Sequence, residues 1–422
     1  MKVLHFNASL KGGAAIAAQR IFHAVLPLVP DMHFYSLENS KAPHYHSMPA
    51  FRAEMGASGY WNRLMWSLFY RKLANATAGK LAQYEKFTPA ELPINTPMPF
   101  EHGRPDLIHM HWTSEMIDFP SFFGSVPDDI PVIWTCHDMN PFTGGCHYTW
   151  GCERFAKQCH NCPQLATDKH HDLSTQTQKV KIDALRDKQV HVVANSKWIE
   201  QEARRSAIFA QAKSIQTIHY PLDTDLFVPL DKAAAKQILG LPVDSKVISF
   251  GAERFDNERK GFRLLAEALE PVYKEVPQLQ CLVFGAGNWQ QTGAVMPPMR
   301  FMGFVESGWL QRIIYSASDV FVIPSQQEAF GQTALEAMAC GTAVVGFDTG
   351  GITDIINPGE NGLLVPNGNQ TALAQAITSL LQNHTLRHSM ELSARAFAAE
   401  NFNTQRQGQL YYELYQRALK NK

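Results

Sequence analysis

Short apolar runs alternate with polar or helix-forming sequence in two successive series, and this alternation restricts the fold of the chain more than any other feature. The first series is VLHF, DLIHMHW, PVIWTCH and VHVVANS, at residues 3–6, 106–112, 131–137 and 190–196. A second series follows the Pro-containing segment His219–Asp231 and consists of KVISFGA, LQCLVFGAG, MRFMGFV, DVFVIPS, TAVVGFD and GLLVP. Strands that alternate with helices build parallel sheets covered on both faces. The sequence therefore predicts an α/β fold of two Rossmann-like, doubly wound parallel-sheet domains.

The length of the chain supports this division. A chain of 422 residues exceeds the usual size of one hydrophobic core, and its hydrophobic content of 45% is sufficient for two. We predict an N-terminal domain at 1–222, a C-terminal domain at 223–404, and a final helix at 405–422 that packs near the first domain or crosses back to it. Because ligands of such sheets bind beyond the carboxyl ends of the strands, we expect the site in a central cleft faced by both domains.

Charge and hydropathy narrow the choice of partners and location. The formal net charge of -1 gives no overall attraction to nucleic acid. The N-terminal sequence MKVLHFNASLKGG becomes polar too early for a signal-peptide core, and no apolar run approaches the roughly 20 residues that span a membrane. These patterns predict a cytoplasmic protein.

Two glutamates surround the start of a short predicted helix in Gln327–Gly351. Glu328 lies in a loop after the apolar run SDVFVIPS, and Glu336 follows about two helical turns later. The backbone N–H groups of Gly331–Thr333 are predicted at the helix N-terminus, where they suit a phosphate or diphosphate. A carboxylate repels a diphosphate, so we expect Glu328 to accept hydrogen bonds from neutral hydroxyl groups instead.

This segment resembles the signature of the retaining glycosyltransferases of family 4: a Glu, seven residues, a second Glu, a small-residue helix and a Gly-Gly turn, here Gly350-Gly351. The resemblance is strongest in the second half of the chain and implies the GT-B fold. Similar enzymes act in bacterial surface-polysaccharide pathways of the colanic acid or exopolysaccharide type. By resemblance, Glu328 contacts the donor sugar and Glu336 the ribose. The other implied donor-binding residues of this segment are Phe330, Gly331, Gln332 and Thr333.

A strand-loop-helix segment, FGAERFDNERKGFRLLAEAL, resembles the family's diphosphate-binding element. Its basic pair corresponds to Arg254 and Lys260, with Arg259 as the alternative partner of Lys260. Fixed cations stabilise the negative charge that develops on a departing nucleoside diphosphate. The resemblance also places the nucleobase beside Phe304 and Val305. Gly12-Gly13, after the first strand, can approach a phosphate or an acceptor, although it is not a dinucleotide fingerprint.

His137 ends a predicted strand, and the family resemblance implies that it contacts the transferred sugar near its anomeric carbon. An ordinary hydrogen-bonded loop histidine is the alternative, and we expect structural roles for His109 and His111. The sequence offers no evident nucleophile or general base. The family mechanism needs neither, because the leaving phosphate itself takes the acceptor proton and the configuration at the anomeric carbon is retained.

No catalytic metal is expected. The triplet Asp223–Asp225 imitates a metal-binding DxD motif, but it lies in a Pro-flanked linker that matches the family's domain-joining turn. Arg254 and Lys260 would already neutralise the diphosphate.

A cysteine-rich loop suggests a structural metal instead. Four of the seven cysteines lie in one loop, Cys146, Cys152, Cys159 and Cys162. In a reducing compartment this pattern favours zinc over disulfides. We predict a structural zinc site, with disulfides or free thiols as alternatives and His147 or His160 as substitute ligands.

An aromatic insertion at about residues 43–100 contains GYWNRLMWSLFYRKLANATAGKLAQ (Gly59–Gln83), with apolar residues at near-helical spacing among Arg and Lys. Such a helix can contact anionic lipid at the inner face of a membrane or a lipid-linked acceptor, or it can be buried in the domain.

The sequence as a whole predicts transfer of a sugar from a nucleotide-diphosphate sugar to a saccharide or lipid-linked acceptor in polysaccharide biosynthesis. The alternatives are a phosphorylase, hydrolase or epimerase on the same fold, and a non-catalytic protein that binds sugar nucleotides or glycans.

Overall fold

The computed structural model describes residues 1–49, 59–80, 83–290 and 295–420, and the chain divides into two compact units. The first unit comprises Met1–Tyr220 and Gln407–Lys422, and the second comprises Pro221–Arg406. The breaks therefore fall next to the boundaries predicted after residues 222 and 404. The end of the chain returns to the first unit.

The first unit contains a seven-stranded sheet within the described residues. Its strands are β1 (Val3–Phe6), β2 (Met32–Ser36), β3 (Tyr45–Ser47), β4 (Leu107–Met110), β5 (Val132–Cys136), β6 (Val190–Ala194) and β7 (Ser214–Thr217). Its helices before the chain enters the second unit are α1 (Gly13–Val25), α2 (Gly59–Ala76), α3 (Phe119–Ser125), α4 (Leu173–Leu185) and α5 (Lys197–Arg205).

Every strand pair in this sheet is parallel, in the order β3-β2-β1-β4-β5-β6-β7. Strands β1, β4, β5 and β6 are buried along their whole length, as continuous apolar runs in parallel sheets require. The strand order reverses between β1 and β4, which is the switch point of the sheet, where such folds place ligands.

The second unit contains a six-stranded parallel sheet within the described residues. Its strands are β8 (Lys246–Arg254), β9 (Leu279–Ala286), β10 (Met299–Phe301), β11 (Val320–Ile323), β12 (Ala343–Asp348) and β13 (Gly362–Pro366). The remaining helices are α6 (Lys232–Ile238), α7 (Phe262–Glu275), α8 (Gly308–Ala317), α9 (Gln332–Ala339), α10 (Gln370–Gln382), α11 (His384–Asn401) and α12 (Thr404–Lys420).

The order β10-β9-β8-β11-β12-β13 places the switch point of the second sheet between β8 and β11. One apolar core packs β8, β9, β11 and β12 against α7 and α10. The two series of apolar runs in the sequence thus form two parallel sheets, as predicted.

Helix α12 packs its C-terminal part into the first unit. Tyr411 and Tyr415 are fully buried there. Gly408 lies so close to α1 that a Cβ at this position would be 2.4 Å from the carbonyl oxygen of Ala24. Ser196 caps the start of α5, because its side chain accepts a hydrogen bond from the backbone N–H of Ile199.

Candidate active site

The loops that follow β8 and β11 touch at the switch point of the second sheet. Gly261 has a φ of 70°, and a Cβ there would be 1.8 Å from the carbonyl oxygen of Pro324. The backbone N–H of Gln326 donates to the carbonyl of Arg259 at 2.8 Å. Glycine is therefore needed at position 261 for both its conformation and its lack of a side chain. This contact brings two segments about 70 residues apart into one site.

Glu328 is the centre of this site. Its Oε2 accepts hydrogen bonds from Lys260 Nζ at 2.6 Å and from Ser325 Oγ at 3.2 Å. The guanidinium of Arg259 approaches the same oxygen to 3.7 Å. Among the described residues these contacts all fall on Oε2, so Oε1 is the oxygen that can accept from a ligand.

The electrostatic surroundings keep Glu328 ionised. Burial by itself would raise the pKa of this carboxyl, but the charges of Lys260 and then Arg259, with hydrogen bonds from Lys260 and Ser325, outweigh it and lower the pKa. The side chain of Glu328 is only 9% exposed, whereas that of Lys260 is 24% exposed. The result is a buried carboxylate with a partly accessible cation beside it.

The Gly350-Gly351 turn holds the backbone of the Glu328 loop. The N–H of Gly351 donates to the carbonyl of Glu328 at 2.8 Å. A Cβ at Gly350 would be 2.2 Å from that same carbonyl oxygen, and a Cβ at Gly351 would be 2.1 Å from the carbonyl oxygen of Ala329. The Gly-Gly pair of the signature thus has a local structural reason, which is close packing of two backbones.

The two candidate partners of Lys260 differ in position. Arg259 has an 8% exposed side chain and donates to the carbonyl of Gln327 at 2.8 Å. Arg254 is 60% exposed at the end of β8 and pairs with Asp256 at 2.7 Å. The structure therefore brings Arg259 and Lys260, but not Arg254, to Glu328.

Helix α9 begins directly after this loop. Gly331 precedes it with a φ of 103°, and no side chain caps the helix. Gln332 and Thr333 form its first turn, where the helix dipole favours an anion. Glu336 is buried on the same helix and accepts a hydrogen bond from Tyr315 at 2.8 Å.

The other residues predicted to bind the donor differ in how far they are exposed to solvent. Phe330 is buried, with its ring centroid 5.9 Å from that of Phe402. Val305 is buried and Phe304 is 45% exposed in the loop after β10. Their contacts with a sugar or a nucleobase stay predictions.

In the first unit, His137 follows β5 and belongs to a buried chain of hydrogen-bonded side chains. Its Nδ1 lies 2.7 Å from Tyr220 Oη, and its Nε2 lies 3.1 Å from His111 Nδ1. His111 continues to His5 at 2.9 Å, and His5 Nε2 lies 3.3 Å from Tyr415 Oη. The contact of His137 with a sugar stays a prediction.

His109 completes this buried histidine chain, which comprises His5, His109, His111, His137, Tyr220 and Tyr415. Its Nδ1 lies 2.5 Å from Tyr415 and its Nε2 lies 2.8 Å from Thr135. Burial lowers the pKa of His5 to about 3 and that of His137 to about 4, although Asp138 raises the latter. Burial first, and neighbouring histidines second, also lower the pKa values of His109 and His111 far below the ordinary range. The four rings are therefore neutral at pH 7.

Two tyrosines, which end and bridge this chain, carry no local sequence signal that would have predicted them. Tyr220 is 83 residues from His137, and Tyr415 is 306 residues from His109. Ser325 was also missed, although a hydroxyl residue between the end of a strand and Glu328 is a local signal.

The predicted Gly12-Gly13 pair lies between β1 and α1. Gly12, with a φ of 91°, precedes α1, Gly13 is the first residue of the helix, and no side chain caps it.

The four loop cysteines line one cavity together with Phe155 and His160. They form no disulfide. In the described part of the chain, the sets of three potential metal ligands within 4.8 Å of one another consist of histidines. Burial raises the pKa of Cys159 to about 12, although a hydrogen bond from the Gly144 N–H opposes this shift. Zinc at these cysteines stays a prediction.

His147 does not face this cavity, because its ring nitrogens contact Asp138 at 2.7 Å and Thr88 at 2.9 Å. In the DTD triplet, Asp223 accepts from the backbone N–H groups of Asp225 and Leu226 and so stabilises the turn.

Comparison with known proteins finds a family match within the second unit. Residues 245–383 match the family model described as glycosyl transferases group 1. This range contains Lys260, Glu328 and Glu336. The chain is 36% identical over 160 residues to a phosphatidyl-myo-inositol mannosyltransferase of Mycobacterium leprae, a match that covers 37% of this chain and 42% of the relative. The chain spans about half the length of the curated relatives it matches, 42% to 52%.

Solved structures resemble the whole chain. Anabaena Alr3699/HepE in complex with UDP and glucose has a TM-score of 0.64 at 18% identity, over 98% of this chain and 99% of that one. Sucrose-phosphate synthase from Thermosynechococcus elongatus has a TM-score of 0.67 at 20% identity, over 100% of both chains. These likenesses show the fold, so the predicted α/β fold of the GT-B class is confirmed.

Proposed function

We propose that this protein is a retaining glycosyltransferase that moves a sugar from a nucleotide-diphosphate donor to a saccharide or lipid-linked acceptor in polysaccharide or glycolipid biosynthesis. The observation that carries the proposal is the buried Glu328 carboxylate, contacted by Lys260 and approached by Arg259 at the switch point of the second sheet. The match of residues 245–383 to glycosyl transferases group 1 supports it.

Lys260 is the residue we assign to the donor diphosphate. An ammonium group has three N–H donors, and the contact with Glu328 uses one of them. The partial exposure of Lys260 leaves the others accessible to phosphate oxygens. Negative charge grows on the diphosphate as the glycosidic bond breaks, so a fixed cation stabilises the transition state more than the bound donor. The backbone N–H groups at the uncapped N-terminus of α9 are a second candidate binding site for the same phosphates.

Glu328 then binds the sugar rather than the phosphates. Its ionised carboxylate accepts hydrogen bonds and cannot donate them, which suits sugar hydroxyls. Glu336 is assigned to the ribose hydroxyls, and Phe304 with Val305 to the nucleobase. In this arrangement Glu328 and Glu336 bind the neutral hydroxyl groups of the donor, and Lys260 binds its negatively charged diphosphate.

The proposed chemistry needs no nucleophile or catalytic metal from the protein. The bond from the anomeric carbon to the diphosphate oxygen breaks, and the acceptor oxygen bonds to that carbon on the same face. The acceptor proton passes to the departing phosphate oxygen. Retention of configuration is tested by NMR of the product linkage, and an inverted anomer would refute the proposed mechanism.

The acceptor side is inferred from α2. This helix exposes Leu64, Met65, Leu68 and Tyr70, at 38% to 51%, and it also exposes Arg63, Arg71 and Lys72. Exposed apolar side chains among basic ones suit the interface of an anionic membrane. Within the described residues no helix is both long and apolar enough to cross a membrane. We infer peripheral contact with the inner face of a membrane that carries the acceptor. The mannosyltransferase relative is named for a phosphatidyl-myo-inositol acceptor, which is a lipid.

Donor identification is the first experiment. Purified protein is screened by thermal shift against UDP-, GDP-, ADP- and dTDP-sugars, since a ligand at 100 times its Kd adds about 2.7 kcal/mol of stability. The stabilising donor is then incubated with lipid extracts or oligosaccharides while release of nucleoside diphosphate is measured. Release that requires an acceptor supports transfer.

Two outcomes would contradict this function. Equal nucleotide release without an acceptor indicates hydrolysis, and donor binding without any turnover indicates a binding protein. A Lys260→Ala variant assayed in parallel identifies release that comes from a contaminating enzyme, because such release would persist.

A further inference from the structure

Two groups of three histidines in the first unit have potential ligand atoms within 4.8 Å of one another: His5, His109 and His111, and His33, His46 and His102. The first group is part of the buried histidine chain. Each of its six ring nitrogens lies within hydrogen-bond distance of a partner inside that chain or of Thr135. Hydrogen bonding therefore accounts for its close spacing.

The second group, which we call the edge histidine cluster, is built differently. His33 lies on β2, His46 on the edge strand β3, and His102 in the segment before β4. His33 Nδ1 is 3.0 Å from His46 Nε2. The ring of His102 stacks on that of His33, with centroids 4.1 Å apart and an interplanar angle of 7°, and its centroid lies 4.3 Å from that of His46. Metal binding would therefore require the His102 ring to rotate so that its lone pair points at the ion. His102 Nε2 is buried without a hydrogen-bond partner among the described residues.

A buried nitrogen without a partner costs about 1–3 kcal/mol, so its position beside two other imidazoles requires an explanation. A zinc ion supplies one, because it accepts lone pairs from several imidazoles at about 2.0–2.1 Å each. Two nitrogens around a tetrahedral ion at that bond length are separated by about 3.3 Å. The 3.0 Å between His33 and His46 needs only a small adjustment to reach this separation.

We propose that His33 Nδ1, His46 Nε2 and His102 Nε2 bind a divalent transition-metal ion, with Zn²⁺ as the expected occupant. Three neutral imidazoles suit Zn²⁺ better than Mg²⁺ or Ca²⁺, which prefer oxygen ligands. Water completes a tetrahedral set. This site is separate from the donor site of the second unit and does not depend on the proposed transfer reaction.

Asp31 supports this assignment. Its Oδ1 lies 3.3 Å from His33 Nε2, so the carboxylate accepts a hydrogen bond from the N–H at that nitrogen and leaves the Nδ1 lone pair for a metal. A carboxylate behind a metal-binding histidine is a common arrangement at such sites. The Lys2 ammonium donates to the carbonyl of His102 and lies 4.0 Å from Asp31 Oδ2. Asp31 thus offsets a charge that would otherwise oppose metal binding.

The consequence of binding is mechanical. Within the described residues strand β3 pairs only with β2, with Phe34 opposite Tyr45 and Tyr35 opposite His46. An ion held by all three histidines would fasten this short edge strand and the segment that contains His102 to β2. We expect Zn²⁺ to raise the thermal midpoint of the protein without being needed for turnover.

The test uses untagged full-length protein stripped with a chelator and titrated with Zn²⁺ or Co²⁺. In a Cys159→Ser, Cys162→Ser variant, which removes the predicted cysteine site, we expect one equivalent to bind at the edge histidine cluster, with a Co²⁺ visible spectrum that lacks a thiolate charge-transfer band. His102→Gln should weaken binding by at least about 100-fold, and Asp31→Asn by about 10- to 100-fold. His23→Gln, on α1 of the same unit, is the matched histidine control and should bind like the wild type.

The cysteine loop provides the competing outcome. A metal held by Cys159 and Cys162 would show a thiolate band, would survive His102→Gln and would be lost in a Cys159→Ser, Cys162→Ser variant. Stoichiometry and affinity that are unchanged by His33→Gln, His46→Gln and His102→Gln, in variants whose apo melting matches the wild type, would overturn the proposal.

Discussion

The two sheets have switch points of the same topological kind, yet the groups around them are chemically opposite. In the second unit the switch point is charged: Glu328 is ionised and held by Lys260 and Arg259. In the first unit the buried histidine chain is neutral: His5 and His109 lie on β1 and β4, and His111 and His137 follow β4 and β5, with the carboxylate of Asp138 beside them. The topology of the two sheets thus places polar side chains near both switch points, and the residue types at those positions decide whether the side chains carry charge.

This difference has physical consequences. A buried ion pair needs each partner, since removal of one leaves an uncompensated charge. The buried histidine chain is instead stable only while its imidazole rings stay uncharged, because burial disfavours the imidazolium form. We therefore expect the charged site to be sensitive to single substitutions and the neutral chain to be sensitive to pH.

The largest expected effect is selective acid instability of the first unit. In the unfolded chain histidines take up protons below about pH 6.5, whereas in the folded unit His5 and His137 stay neutral down to about 3 and 4. These histidines therefore do not reduce the free energy of unfolding of the first unit above about pH 6.5, and they reduce it progressively as the pH falls below that value. At pH 4.5 His5 and His137 each cost about 2–3 kcal/mol, and the lowered pKa values of His109 and His111 act in the same direction.

Tryptophan fluorescence follows this transition through Trp134, which is buried in the first unit. In the second unit Trp309 is 63% exposed but Trp289 packs against the core, so a separate signal is needed for that unit. Nucleotide binding reports on the second unit. There the lowered pKa of Glu328 maintains its contribution until the pH falls below about 4.3, the ordinary value. A fluorescence transition that occurs only below about pH 3.5 would contradict the neutral chain.

The second prediction concerns the charged site. Lys260→Ala should lower kcat by about 100- to 1,000-fold, the usual effect of removing one donor to a developing negative charge. Binding of the free nucleoside should change little. Arg263→Ala, three residues further along and 63% exposed, is the matched control and should retain activity. Turnover unchanged in Lys260→Ala would remove the role assigned to this lysine.

The third prediction separates recognition of the sugar from recognition of the nucleotide. Glu328→Gln leaves Lys260 and Arg259 without their anion, so we expect a loss of about 1–3 kcal/mol in stability. Isothermal titration should show weaker binding of the intact donor and nearly unchanged binding of the nucleoside diphosphate. Glu336→Gln should weaken both. Equal loss of both ligands in Glu328→Gln would contradict this division.

Much of the fold could be predicted because it depends on local sequence. The runs at 3–6, 131–137 and 190–196 are strands β1, β5 and β6, since continuous apolar runs between turn signals indicate buried parallel strands. The Glu328 loop, the Gly-Gly turn and the basic loop were likewise recognisable because each occupies a short segment.

Other parts of the site depend on contacts that no local pattern encodes. The choice between Arg254 and Arg259 depends on which of two neighbouring side chains turns inward, and the structure shows that Arg259 does. The histidine chain closes through Tyr415, which is 410 residues from His5. The edge histidine cluster gave no spacing signal because its members come from three separate segments.

The fourth prediction breaks the neutral chain without adding charge. Tyr415→Phe removes the hydroxyl that lies between His5 and His109 and leaves two buried ring nitrogens with one partner fewer. We expect a loss of about 1–3 kcal/mol in the free energy of unfolding. Tyr412→Phe, on the same helix but only half-buried, should change stability by less than about 0.5 kcal/mol. Equal melting of the two variants would show that the chain contributes nothing to stability.

The smallest effect is expected for Arg254→Ala, and it decides which basic residue accompanies Lys260. Arg254 is exposed and its pair with Asp256 lies at the surface, where such pairs contribute about 0–1 kcal/mol. Arg259 instead lies within 3.7 Å of Glu328 and is nearly buried. We expect Arg259→Ala to reduce turnover by at least about tenfold and Arg254→Ala to reduce it by less, with kcat measured at saturating donor. The reverse order would mean that the donor draws Arg254 inward, and the charged site would then extend along β8 beyond the pair that now contacts Glu328.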